Sequence, residues 1–150
     1  MARGHWGFCQ PGASVLPSPN DGPKPLILHR FRIFTLDQAN TLLPTVQRLT
    51  SRTKGELDTL QRAAHASDGP DPSEADHEAR ELLGRWAHSI LALGAQPKGV
   101  FTVDFRTLDP NVLWCWAPEE HEICHRHFTW ESFKDRCRLT GALDTWPGRN

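Results

Sequence analysis

The chain has 150 residues, with 17 Lys and Arg against 18 Asp and Glu, a formal net charge of -1. That length fits one ordinary domain able to bury its own core. The charge balance excludes the basic footprint of a nucleic-acid binder and strong attraction to an anionic membrane.

Residues 1–25 are rich in proline and glycine and lack the apolar stretch of a signal peptide, so a flexible leader outside the fold is expected. No apolar run approaches the roughly 20 residues of a membrane helix, and a soluble, cytoplasmic protein follows. One α+β domain is expected over 26–139, with 140–150 as a tail. "LILHRFRIFT", 26 to 35, reads as a short strand or an extended lead-in. Thr35 is placed to cap a helix, with Asp37 and Gln38 in its first turn. Apolar or small residues then recur at alternating intervals of three and four, through Leu36, Ala39, Leu43, Val46, Thr50, Thr53, Leu57, Leu60 and Ala64. This is a coiled-coil-like seam. Pro44 predicts a short helix, a kink and a long helix to about Ala66.

"SDGPDPSEAD" predicts a turn, and Ser73 the cap of a second helix carrying Ala75, Ala79, Leu82, Trp86, Ile90 and Leu93, ended by Gly94. A short loop makes the helices antiparallel, so 36–93 is predicted to be a helical hairpin. His65, His77 and His88 read as ordinary polar-face histidines. After "GAQPKG" the period changes. "VFTVDFRTL", "NVLWCWA" and "EICHRHF" predict a three-stranded antiparallel meander over 98–128. "TWESFKDRCRL" closes with a short helix or turn.

Residues 121–125, HEICH, spell the H-E-x-x-H signature of zinc metalloproteases. That motif works on a helix, where i and i+4 imidazoles reach one ion. Pro118 and the β-type run that follows predict an extended chain instead, on which residues four apart are roughly 13 Å apart. Proteolytic zinc chemistry is therefore not expected. His125 and His127, about 7 Å apart on one strand face, are the better metal candidates, with His121, Glu122 or Asp104 as the third ligand.

Turns at 109–110 and 119–120 would pair Phe105 with Trp114, Val103 with Trp116, Cys115 with Cys124, Trp116 with Ile123 and Trp114 with His125. His125 and His127 then share the apolar face that packs on the hairpin. Asp104, Arg106, Cys115, Glu122, Cys124 and Arg126 take the other face, and the sheet separates the histidines from the carboxylates. Cys115 and Cys124, if opposite, have the reach to bridge, although a cytosolic compartment favours free thiols. None of the four cysteines forms a C-x-x-C pair.

"RIFTLDQANTLLPTVQRL", "LGAQPKGVFTVDF" and "LWCWAPEEHEICHRHFTWESFKDR" together resemble the bacterial 2203 family of domains of unknown function, over about 32 to 139. The resemblance implies that Asp104, Cys115, Trp116, Glu122, Ile123, His127, Phe133 and Arg136 occupy pattern positions, while His121, Cys124 and His125 do not. Ser132 stands where the family carries glycine. It implies no activity.

The expected function is a non-catalytic interaction or small-ligand-binding module that self-associates as a homodimer through its hairpin, with a protein partner or a small anionic ligand and no nucleic acid or membrane. Asp104, Trp116, Glu122, His127 and Arg136 are the candidate ligand residues; an Arg beside a His suits an anion. The alternative is a small metal-binding protein or metal-dependent enzyme holding a divalent ion at His127 with His125 and nearby carboxylates.

Overall fold

The computed structural model describes residues 31–66 and 68–140; the expected leader and most of the expected tail lie outside these residues. Two helices form an antiparallel hairpin, and five strands follow as an antiparallel sheet in sequence order. The α+β class is as the sequence predicts. The sheet adds two short outer strands to the expected three.

Helix α1 spans Leu36–Ala64. Thr35 and Gln38 form a reciprocal capping box, each side chain bonding the other's backbone. Pro44 lies inside this one helix, where a short helix followed by a longer one was expected. The seam points inward: Ala39, Leu43, Val46, Thr50 and Thr53 are buried.

Helix α2 spans Pro72–Ala92. Its cap is Asp71, whose carboxylate accepts from Ser73 N at 2.8 Å, two residues before the expected Ser73 cap. Pro72 then takes the first helical position, where a missing N–H costs nothing. Gly94 follows the helix at φ +84°, and a Cβ there would meet the Arg32 side chain at 2.5 Å. Trp86 crosses to α1 and donates its indole N–H to Thr50 Oγ1 at 3.0 Å, in a buried site. That bond explains a hydroxyl within the seam. No described helix is long and apolar enough to cross a membrane.

The strands are β1 Gln96–Pro97, β2 Val103–Arg106, β3 Val112–Trp116, β4 His125–Phe128 and β5 Cys137–Arg138. Val103 pairs with Trp116 and Phe105 with Trp114, as expected. Side chains alternate between faces. One face gives Val103, Phe105, Trp114 and Trp116 to a core shared with Phe34, Leu43, Val46, Trp86 and Ile90.

The second hairpin departs from expectation. Cys115 pairs with His125, Trp114 with Arg126 and Leu113 with His127. The link is longer than a two-residue turn, and β4 restarts only at His125. A one-residue shift moves every side chain of β4 to the opposite face. His125 and His127 therefore lie beside Asp104 and Cys115 on the face away from the helices, not on the apolar face.

Candidate functional site

Strand β3 is buried along its whole length, so both faces of the sheet are covered there. The C-terminal segment contributes to the far side. The Phe133 ring meets His127 edge-on with centroids 6.2 Å apart, and the Arg136 guanidinium lies 4.6 Å from the centre of the Phe133 ring. Ser132 opens the 3-10 helix at Phe133–Asp135 and donates its hydroxyl to Asp135 Oδ2 at 2.7 Å.

Beneath this segment, His127 Nε2 lies 3.1 Å from Asp104 Oδ2, with both side chains fully buried. His127 Nδ1 is 2.9 Å from the Phe128 carbonyl oxygen. A carbonyl carries no proton, so Nδ1–H is the donor there. The contact of Nε2 with Asp104 is then a hydrogen bond only if a second proton lies between them. The pair holds that proton either as carboxylic acid and imidazole or as carboxylate and imidazolium. Burial is the largest influence on Asp104 and pushes its carboxyl up, against the opposing pull of His127 and then Lys98. Asp104 Oδ1 is buried with no hydrogen-bond partner.

Cys115, fully buried, completes the group. The ligand atoms of Asp104, Cys115 and His127 all lie within 4.8 Å of one another. Burial first, then the Asp104 carboxylate, push the Cys115 thiol up from 9.0 to about 12, while Arg136 pulls it down. The folded protein therefore holds this proton more tightly than the unfolded chain. The stability so gained is full below about pH 9 and is lost as pH rises through about 12. Unfolding free energy should fall relative to Cys115→Ala by about 1.4 kcal/mol per pH unit across that alkaline interval. Urea denaturation at matched pH checks this, and parallel profiles for the two proteins would refute it.

A second group lies nearer solvent. His125 Nδ1 is 2.8 Å from Glu120 Oε1 and 3.3 Å from Cys124 Sγ. Arg136 NH1 is 2.9 Å from the same Glu120 oxygen, an ion pair not aligned as a hydrogen bond. Glu120 is held in place from several sides. Its Oε2 accepts from Ala117 N at 2.9 Å, and its carbonyl accepts from Trp116 Nε1 at 2.8 Å and from Gln47 Nε2 at 3.3 Å. Both Cys124 and Glu120 address one ring nitrogen of His125. A cysteine–histidine–carboxylate relay needs its partners on opposite nitrogens, so these three side chains do not form one.

The expected site residues thus separate. Asp104 and His127 meet, and Arg136 lies alongside. His125 joins Glu120 and Cys124 rather than His127. Glu122 and His121 are exposed and belong to neither group of potential metal ligands among the described residues. Residues 121–124 form no helix, which removes the geometry that HEICH needs for zinc proteolysis. Trp116 is buried on the helix side and reaches the site only through the Glu120 carbonyl. Cys115 and Cys124 are free thiols. Glu120 was not expected in the site. Its signal was faint: a glutamate three residues after Ala117, able to close the turn on the backbone.

One family model, described as Uncharacterized conserved protein (DUF2203), matches residues 32–139. No curated protein and no solved structure matches the chain.

Proposed function

We propose that this chain, which belongs to the DUF2203 family of uncharacterised conserved proteins, binds a divalent d-block metal ion between Asp104, Cys115 and His127. The observation that carries this reading is the convergence of three different donor atoms at a fully buried point where Asp104 Oδ1 has no partner. An unpaired buried carboxylate oxygen is costly, and a metal ion or an ordered water is what relieves it.

Geometry and charge both support the ion. Tetrahedral zinc with bonds of about 2.0–2.1 Å sets its N and O ligands about 3.3 Å apart, and His127 Nε2 and Asp104 Oδ2 are 3.1 Å apart. The Nδ1–H bond to the Phe128 carbonyl fixes the tautomer that frees Nε2, as metal-bound histidines commonly require. With the dyad proton and the Cys115 proton in place, the group is neutral. Exchanging both protons for a divalent cation leaves it neutral, so the buried pocket carries no net charge in either state. A thiol, an imidazole and a carboxylate together favour zinc or a similar ion over magnesium or calcium.

The test is titration of the full chain with zinc chloride in weak buffer. One tight equivalent should release two protons, and the dissociation constant should fall about a hundredfold per pH unit. Asp104→Asn and His127→Gln should lose that equivalent. No binding, or binding that both variants keep, overturns the reading.

Self-association through the hairpin rests on less. The seam of α1 faces inward, and the apolar residues left at intermediate exposure on its distal turns are Leu57, Leu60 and Ala64. This reading requires a species of twice the chain mass by light scattering at high micromolar concentration; a strict monomer ends it.

A further inference from the structure

We infer that Glu120, Cys124 and His125 form a second metal-ion site at the rim of the sheet, for a zinc-class divalent ion that competes with the Arg136 side chain. The inner and rim sites share no ligand, so the two proposals stand or fall separately.

The donor atoms Glu120 Oε1, Cys124 Sγ and His125 Nδ1 all lie within 4.8 Å of one another. Their separations from Nδ1, 2.8 and 3.3 Å, approach the edges of about 3.3 to 3.6 Å that tetrahedral zinc sets between such ligands. Glu120 would need little reordering. Its backbone is fixed by Trp116 and Gln47, and its second oxygen is fixed by Ala117 N. The Glu120 and His125 side chains are 12% and 22% exposed, so an ion can arrive from solvent. The set of one sulfur, one nitrogen and one oxygen again selects against magnesium and calcium.

Arg136 is the independent sign that this point attracts positive charge. Its NH1 lies 2.9 Å from Glu120 Oε1, yet it makes no aligned hydrogen bond there. It supplies charge without the directional bonds that make an arginine–carboxylate pair strong. An ion at Glu120 Oε1 and the guanidinium cannot share that oxygen closely. The ion must push Arg136 aside, which weakens the site in the wild type. Removing the arginine should tighten it by at least about tenfold.

Calorimetric titration of the full chain with zinc chloride, paired with cobalt(II) absorption to report thiolate ligation, tests this. Wild type should take a second, weaker equivalent, and Arg136→Ala should tighten that weaker equivalent. Glu120→Gln and His125→Gln should lose it while keeping the tight equivalent, and Cys124→Ser should reduce the cobalt–thiolate band. If Arg136→Ala does not fold by circular dichroism, the two glutamine variants carry the test. A single equivalent, unchanged by His125→Gln, overturns the second site and leaves the inner one standing. An equivalent lost in His125→Gln but kept in His127→Gln does the reverse. No equivalent at all overturns both.

Discussion

His127→Ala should lower the unfolding free energy by about 3 to 5 kcal/mol, the range for breaking one side of a buried ionisable pair. The side chain is fully buried, bonded at Nε2 to Asp104 and at Nδ1 to the Phe128 carbonyl, and packed against Phe133. Truncation leaves Asp104 with neither oxygen partnered, since Oδ1 already has none. It also leaves a cavity beneath Phe133. Urea denaturation gives the number, and a loss below about 1 kcal/mol would mean that the dyad does not hold the C-terminal segment to the sheet.

Two further variants separate the contributions. In Asp104→Ala/His127→Ala the orphaned carboxylate is gone, so the double loss should be smaller than the sum by about 1–3 kcal/mol. Asp104→Asn keeps shape and offers an amide N–H to the lone pair on Nε2. Its cost should stay below about 1.5 kcal/mol, while metal uptake at the inner site is lost. Stability and binding then part company in one substitution.

The helices and the first strand pair were legible because their signals are local. The capping box at Thr35 and Gln38, the three-four spacing of α1 and the turn at 109–110 each rest on residues close in sequence. The second hairpin was not legible, because its register depends on a side chain. Glu120 bonds Ala117 N and closes the turn early, and the chain then runs through residues 121–124 before pairing resumes. Assigning a two-residue turn instead displaced β4 by one residue and divided His127 from Asp104. One hint of the true arrangement was available. "VLWCW" is apolar without alternation, the pattern of a strand covered on both faces. Under such cover Asp104, opposite Cys115, must be buried and must have a partner.

Trp116→Ala should cost about 3 to 5 kcal/mol and should also disable the rim site. Trp116 is 1% exposed, paired with Val103 and set in the core between sheet and hairpin. The large volume removed explains the first effect. The second arises because its indole N–H holds the Glu120 carbonyl at 2.8 Å. Trp116→Phe separates them. Phenylalanine keeps much of the bulk but has no N–H, so the loss attributable to the hydrogen bond should be about 1 kcal/mol, added to a smaller cavity term. Gln47 Nε2 still bonds the same carbonyl, at 3.3 Å, so the turn should loosen rather than unfold. Glu120 then pays an ordering cost when it binds an ion, and the second zinc equivalent should weaken while the inner one is unchanged. If Trp116→Phe lowers the melting temperature yet leaves both equivalents intact, Trp116 is a core residue only, and the Glu120 turn is ordered by its own carboxylate.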